Sequence, residues 1–245
     1  MIKIEICAGS ITSALVAQEG GTYRVELCDN LKEGGTTPSY GTLLLARKNL
    51  SIKLFSIIRP RGGDFLYSDL EFELMKADIL QCQELGCDGV VFGILTKHGE
   101  VDKERNLELK QAAGKMGTTF HRAFDRCKNP FKALEDVIEL GFDRILTSGQ
   151  EISAIKGASL ISKLVEQANK RIIIMPGAGV RPENLQELIK LTGATEYHTS
   201  AKGVFKSGMV FTEVKTGNYE EEFLTEQTDY NTVRALVEIA VNRIH

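Results

Sequence analysis

Short runs of β-branched and other apolar residues alternate along the chain with segments of helical spacing, and the alternation recurs eight times. The strand-like runs occupy residues 2–7, 23–28, 52–59, 89–95, 117–124, 143–149, 171–179 and 195–201. Apolar runs of this length bounded by turn residues are typical of buried strands, whereas apolar residues three and four apart predict amphipathic helices. The pattern therefore predicts a repeated strand–helix unit.

Capping signals mark the starts of several of the predicted helices. Ser68 is followed three residues later by Glu71, which is the spacing of a capping box. Asn129 precedes Pro130, and Pro182 opens a later helix, because proline is well tolerated in the first helical turn. Residues 203–228 have no comparable pattern and are predicted to be an irregular segment before the last helix, where they could form a lid or a subunit contact.

Eight strand–helix units in 245 residues predict one (β/α)₈ barrel, the TIM-barrel architecture, as a single domain over residues 1–245. A doubly wound open sheet is the alternative. It fits less well because no G-x-G-x-x-G follows the first strand and because the last strand is followed by its own helix.

Composition limits which binding partners and which cellular compartment are expected for this protein. The formal net charge is −3 and the chain has no long basic run, so neither nucleic acid nor a membrane surface is an expected partner. No apolar stretch has the eighteen or more residues of a membrane span, and the first residues do not form an export signal. Five scattered cysteines, an odd number, are expected to be reduced thiols in the cytoplasm.

A short motif, E-x-C, ends the first two predicted strands, with its cysteines twenty-one residues apart. The apolar residues between must face the surrounding helices, so Glu5, Cys7, Glu26 and Cys28 are expected to point into the barrel. Two thiolates on adjacent strands suit Cu(I), a soft ion that accepts cysteine sulfur. Two alternatives stay open: small cysteines also fill crowded barrel interiors, and a disulfide could join them.

Other polar residues fall at the ends of later strands, where barrel proteins place their chemistry. If the protein is an enzyme, Glu26, His121 or Asp125 could move protons as a general acid or base. A histidine in such a place is also commonly a hydrogen-bonded core residue.

A second group of residues is predicted to bind an anionic ligand. Arg59 and Arg61, after the third strand, could clamp a carboxylate or phosphate, or could neutralise Glu5 and Glu26. The glycine-rich turn after the seventh strand leads into a helix, as phosphate-binding turns do, although glycines there could merely permit a tight turn. The remaining residues predicted to bind a ligand are Glu5, Ser148, Gly177, Gly179, His198 and Ser200.

Taken together, these motifs resemble those of the CutC family of copper-homeostasis proteins. The matching blocks are EIC (5–7), RVELC (24–28), KEGGTTPS (32–39), IIRPRGGDF (57–65), TFHRAFD (119–125), RILTSGQ (144–150), PGAGVRPEN (176–184) and HTSA (198–201). The resemblance implies a TIM barrel, a cytoplasmic protein, a homo-oligomer and a Cu(I) site at Cys7 and Cys28.

The mouth of the predicted barrel has more polar groups than copper binding requires. Two thiolates suffice for Cu(I), whereas arginines, histidines and carboxylates are also expected here. The alternative function is therefore a TIM-barrel enzyme that acts on a small phosphorylated or carboxylated metabolite by general acid–base chemistry.

Overall fold

The computed structural model of the chain, which describes residues 2–211 and 222–242, contains a parallel sheet of eight strands. The strands are β1 (Lys3–Ala8), β2 (Arg24–Leu27), β3 (Lys53–Ile57), β4 (Gly89–Phe92), β5 (Gly117–Phe120), β6 (Arg144–Thr147), β7 (Ile173–Pro176) and β8 (Glu196–Thr199). Each strand pairs with the next from β1 to β7, and β1 also pairs with β8. The sheet thus nearly closes between β7 and β8, and the predicted (β/α)₈ barrel is confirmed.

In the part of the chain that the structure describes, eight α-helices alternate with the strands or follow them, and they cover the outside of the barrel. They are α1 (Ile11–Glu19), α2 (Tyr40–Asn49), α3 (Asp69–Glu84), α4 (Lys103–Ala112), α5 (Pro130–Glu139), α6 (Ala158–Ala168), α7 (Pro182–Thr192) and α8 (Tyr230–Val241). The predicted capping box of Ser68 and Glu71 is present at the start of α3. Over the described residues, no helix combines the length and the apolar character needed to cross a membrane.

The two sides of each strand lie in different environments, as the alternation of side chains requires. Ile4, Ile6, Val25 and Leu27 belong to the main apolar core between strands and helices. The opposite side of the same strands carries Glu5 and the other charged groups of the interior, all buried. A polar barrel interior is unusual, because branched apolar residues normally fill it.

Residues 203–228 differ from the sequence prediction of an irregular segment. In their described part, β9 (Lys202–Lys206) and β10 (Leu224–Thr228) form an antiparallel pair, with Lys206 opposite Leu224. Residues 212–221, which the prediction also covered, lie outside the described residues. The strands were missed because both faces of this pair are exposed to solvent. Val204 is 63% exposed, and its neighbour Phe205 is 41% exposed. Strands without a buried face lack the alternation that identifies them.

Candidate metal-binding site at the barrel mouth

Two sulfur atoms meet at the bottom of the barrel mouth. Cys7 lies near the end of β1 and Cys28 directly follows β2, so the pairing of these two strands brings them together. Their Sγ atoms are 3.2 Å apart, and both side chains are buried. The inward orientation expected from the two E-x-C motifs therefore places the thiols in direct contact.

His198, on β8, approaches the two sulfurs from the other side of β1. Its Nδ1 lies 2.7 Å from Oε1 of Glu5, while its Nε2 faces Oε2 of Glu26 at 3.7 Å. Cys7, Glu26 and His198 offer ligand atoms that all lie within 4.8 Å of one another. The mouth thus gathers sulfur, nitrogen and carboxylate donors around one point.

The carboxyl group of Glu26 is only partly satisfied within the protein. Its Oε2 accepts a hydrogen bond from the Cys28 thiol at 3.3 Å. Its Oε1 is buried and has no hydrogen-bond partner in the part of the chain that the structure describes. A buried polar atom without a partner is costly, so this oxygen marks a place where a further group would be stabilising.

Mutual contacts shift the pKa values of these groups in opposite directions. The hydrogen bond from Cys28, with help from His198, lowers the pKa of Cys7 to about 5 against the effect of burial. Burial and the neighbouring Cys7 raise the pKa values of both Glu26 and Cys28 well above their usual range. Burial alone would lower the pKa of His198, but Glu26, Cys7 and Glu5 raise it. The arrangement therefore favours a thiolate at Cys7 beside a protonated imidazole.

A buried ion network supports the site from below. Arg24 donates from Nε to Glu5 and from a terminal nitrogen to Glu196 at 2.8 Å, and Arg144 contacts Glu196 at 3.2 Å. Both guanidinium groups also lie over the ring of Phe55. Burial raises the pKa of Glu5, but the charge of Arg24 and the contact with His198 lower it to about 2. Glu5 is consequently an ionised carboxylate that fixes the imidazole of His198.

Arg24 and Arg144 are not among the residues predicted from the sequence, although a signal for Arg24 is present. Arg24 has the same parity on β2 as Glu26 and Cys28, so it had to point inward with them. It is Arg24, and neither Arg59 nor Arg61, that neutralises Glu5.

A cavity of about 260 Å³ opens above the sulfur pair. Cys7, Glu26 and His198 form its floor, and apolar side chains and arginines surround it. The walls and rim are formed by Ile57, Phe65, Leu146, His121, Arg59, Arg122 and Arg126. The cavity has the size for a small molecule or a hydrated ion.

The two arginines after β3 have structural contacts. Arg59 is buried and donates to the backbone carbonyls of Glu33, Gly35 and Gly63 at 2.7–2.9 Å, so it joins the loops after β2 and β3 over the cavity. Arg61 bonds to Glu71 at 2.6 Å and lies outside the cavity lining. Anion binding by either arginine stays a prediction.

His121 lines the cavity wall as a neutral imidazole. Its Nδ1 accepts a hydrogen bond from the backbone of Ala123, and its ring lies 4.9 Å from that of Phe65. Burial and the nearby charge of Arg59 lower the pKa of His121 to about 3. Its Nε2 is buried and unpaired among the described residues. His121 therefore contributes no positive charge near neutral pH.

Asp125 holds two neighbouring loops together. Its carboxylate accepts hydrogen bonds from Arg122 Nε at 2.7 Å, Thr147 Oγ1 at 2.5 Å, and the backbone nitrogens of Ser148 and Gln150. The predicted ligand residue Ser148 is part of this contact, since its Oγ lies 3.0 Å from Asp125. The two residues meet in a structural network beside the cavity, and their predicted roles in catalysis and ligand binding stay predictions.

The glycine-rich turn after β7 has local reasons for its glycines. A Cβ on Gly177 would come within 2.5 Å of the Leu146 side chain, and Gly179 has a φ of +72°. Tight packing and a left-handed backbone both favour glycine. Ser200 follows β8, and its carbonyl accepts a bond from Thr228 at the end of β10. Anion binding at these positions stays a prediction.

Fold and site together define a (β/α)₈ barrel protein with a thiol-containing polar centre in its mouth. The sequence model of the CutC family matches residues 2–203, and the chain belongs to this family. A CutC family protein of Chromobacterium violaceum is 53% identical over 96% of each chain. The human relative, named copper homeostasis protein cutC homolog, is 47% identical over 98% of this chain and 89% of its own.

A solved structure agrees with this assignment. The crystal structure of a CutC protein from Streptococcus agalactiae superimposes with a TM-score of 0.78 and 41% sequence identity. It covers 82% of this chain and 99% of its own. The resemblance predicted from the sequence is thereby confirmed at the level of the family.

Proposed function

We propose that the protein serves copper homeostasis by binding Cu(I) through Cys7 and Cys28. The observation that carries the proposal is the 3.2 Å contact between the Sγ atoms of Cys28 and of Cys7, which lines the floor of an open cavity. Cysteine sulfur is the ligand type that Cu(I) prefers, and the thiolate form binds metal. The names of the relatives from human and Streptococcus agalactiae point to copper in the same way.

The geometry of the pair limits how such an ion is held. Two metal–sulfur bonds of about 2.3 Å each, end to end, would separate the sulfurs by about 4.6 Å. The observed 3.2 Å is shorter, so a bound ion lies beside the line between the sulfurs or the thiols turn apart. The proposal therefore favours a bent sulfur–copper–sulfur arrangement, in which a third ligand can reach the ion.

The compartment follows from the chemistry. Cu(I) and free thiols persist together in a reducing environment, so a cytoplasmic location is part of the proposal. All five cysteines are buried free thiols, which agrees with it. The homo-oligomer implied by the family resemblance stays a prediction, to be measured by light scattering.

The test is an anaerobic Cu(I) competition titration of reduced protein against a chromogenic chelator. We expect one tightly bound ion per chain in the wild type and loss of that ion in Cys7→Ser/Cys28→Ser. The matched control is Cys82→Ser/Cys127→Ser, which removes two buried thiols of the apolar core. Equal affinity in the wild type and in Cys7→Ser/Cys28→Ser would refute the proposal.

A second candidate function rests on the cavity itself. Arg122 and Arg126 lie on its rim, above Glu26 and His198, which offer a carboxyl group and an imidazole on the floor. This arrangement suits an enzyme that holds a small phosphorylated or carboxylated molecule and moves a proton. A thermal-shift screen of such metabolites tests it, because a ligand of the native state must raise the melting temperature. No stabilising ligand in the screen would contradict it.

A further inference from the structure

We propose that the mouth of the barrel is a mixed-ligand site for a borderline divalent transition-metal ion such as Zn(II). Its ligands are Cys7, Cys28, Nε2 of His198 and the carboxylate of Glu26. The inference rests on the proposed function for its location, but it adds two ligands and a different class of metal. Three observations carry it: the spacing of the donors, the orientation of His198 and the unpartnered oxygen of Glu26.

Three donor separations are close to those in a four-coordinate ion, since Cys7, Glu26 and His198 offer ligand atoms within 4.8 Å of one another and Cys28 lies beside Cys7 and Glu26. A tetrahedron with metal–ligand bonds of about 2.0–2.3 Å has edges of about 3.3–3.8 Å. The two sulfurs are 3.2 Å apart, Cys28 Sγ is 3.3 Å from Glu26 Oε2, and His198 Nε2 is 3.7 Å from the same oxygen. These separations are close to tetrahedral edges and shorter than a linear pair of bonds would need.

The orientation of His198 is that of a metal ligand. Histidines that bind metals almost always donate their other ring N–H to a carboxylate or carbonyl, which fixes the tautomer and the ring. Here Nδ1 contacts Glu5 at 2.7 Å, and Nε2 faces the cluster. Glu5 is itself held by an ion pair with Arg24, so both residues help to orient the imidazole of His198. Glu5 is thus a positioning residue for the proposed site.

Glu26 supplies the third observation. Its Oε1 is buried without a hydrogen-bond partner among the described residues, although the side chain lines the cavity. A cation bound by both oxygens of this carboxylate would remove the cost of the unpaired Oε1. Together with two sulfurs and one imidazole it forms a donor set that suits Zn(II) and Co(II). Binding displaces the protons of the Cys28 thiol, of the imidazole Nε2 and of the carboxyl group to solvent, because Cys7 is already a thiolate.

Co(II) is the probe for the first test, because its visible spectrum reports coordination number and thiolate ligation. Under anaerobic conditions we expect one Co(II) per chain, strong visible absorption of a four-coordinate ion, a near-ultraviolet sulfur-to-cobalt band, and displacement by Zn(II). His198→Gln and Glu26→Gln should each weaken Co(II) binding at least tenfold. Their controls are His121→Gln, a buried histidine outside the donor cluster, and Glu33→Gln on the cavity rim.

The variant Glu5→Gln distinguishes a residue that orients His198 from one that binds the metal directly. Loss of an outer-shell partner of a metal-bound histidine typically weakens affinity by 10–100-fold. We expect that loss with the sulfur-to-cobalt band retained, since all four ligands remain. A weak spectrum without a sulfur band in the wild type, or Co(II) affinity indifferent to His198→Gln, would overturn the inference.

A measurement on the wild type guards against variants that do not fold. Zn(II) should shift the ring ¹⁵N resonances of His198, as read by NMR of wild-type protein labelled with ¹⁵N-histidine, while those of exposed His98 stay unchanged. Unchanged His198 resonances would count against the inference.

Cu(I) titrations on the same proteins separate the two proposals. Cu(I) binding that needs the thiols, with no sulfur-ligated Co(II), leaves the copper function and removes this inference. The reverse result removes the copper function alone.

Discussion

Replacing Arg24 with methionine removes the cation that lies between two buried carboxylates, Glu5 and Glu196. Methionine keeps most of the apolar stem and can pack against Phe55 and Met175, which already contact the arginine. The variant therefore isolates the loss of charge from the loss of packing.

The magnitude follows from the pKa of Glu5. Its pKa is lowered from 4.5 to about 2, which at 1.36 kcal/mol per unit corresponds to about 3 kcal/mol of stabilisation at neutral pH. Removing one member of a buried ion pair typically costs about 3–5 kcal/mol, because an uncompensated charge remains. We expect Arg24→Met to lower the free energy of unfolding by that amount at pH 7.

The sign of the pH dependence provides a second readout. A carboxylate with a lowered pKa stabilises the protein above its unfolded value of about 4.5, and this contribution is lost as the pH falls through about 2. Without Arg24 the pKa of Glu5 should rise, so Glu5 of the variant takes up a proton at a higher pH. The difference between wild type and variant should accordingly shrink as the pH falls from 5 toward 2.

Urea unfolding at several pH values, followed by circular dichroism, measures both effects. Arg61→Met is the control, since its side chain is 39% exposed and its surface ion pairs should contribute no more than about 1 kcal/mol. A cost for Arg24→Met below about 1 kcal/mol at pH 7, or one that stays constant down to pH 2, would refute the reasoning.

Two further predictions concern a loop and a thiol. Gly149→Ala should destabilise the protein by more than about 2 kcal/mol in thermal unfolding, because its Cβ would lie 2.4 Å from the carbonyl oxygen of Gly157; Gly86→Ala, with a similar φ and open space, should cost only about 1 kcal/mol. Equal costs would contradict this steric argument. Iodoacetamide should alkylate Cys7 before Cys127 at pH 6.5, because the pKa of Cys7 is lowered to about 5 and burial raises that of Cys127 to about 12. Peptide mapping reads the order, and faster reaction at Cys127 would contradict it.

The sequence predicted the parts of this molecule that follow from period and parity. Eight strand–helix repeats suffice for the barrel, and the two-residue alternation of β1 and β2 is enough to turn Glu5, Cys7, Glu26 and Cys28 inward. Both predictions need only the local pattern of apolar and polar residues and one general rule about how strands and helices pack. His198 was likewise expected at the mouth from the end of β8.

Pairwise partners could not be predicted in the same way. Asp125 and Arg59 were chosen as chemical residues because of their type and place, yet their hydrogen-bonding capacity is largely used by loop contacts. The hydrogen-bond partner of a polar group depends on side-chain rotamers and on the paths of loops. Neither can be predicted from the periodicity of the sequence. The solvent-exposed strands β9 and β10 were missed for a related reason, because a strand without a buried face needs no alternation of apolar and polar residues.

The pairing of β1 with β8 has a consequence for the order of events during synthesis. Glu5 and His198 are 193 positions apart, yet they share one hydrogen bond, so their contact is among the least local in the chain. Contacts between residues far apart in sequence form late, because closing a long loop costs conformational entropy before the contact stabilises the chain. During synthesis Cys7 and Cys28 leave the ribosome well before His198, which follows them in the sequence. The histidine thus joins the thiols only when the last strand of the barrel docks on the first.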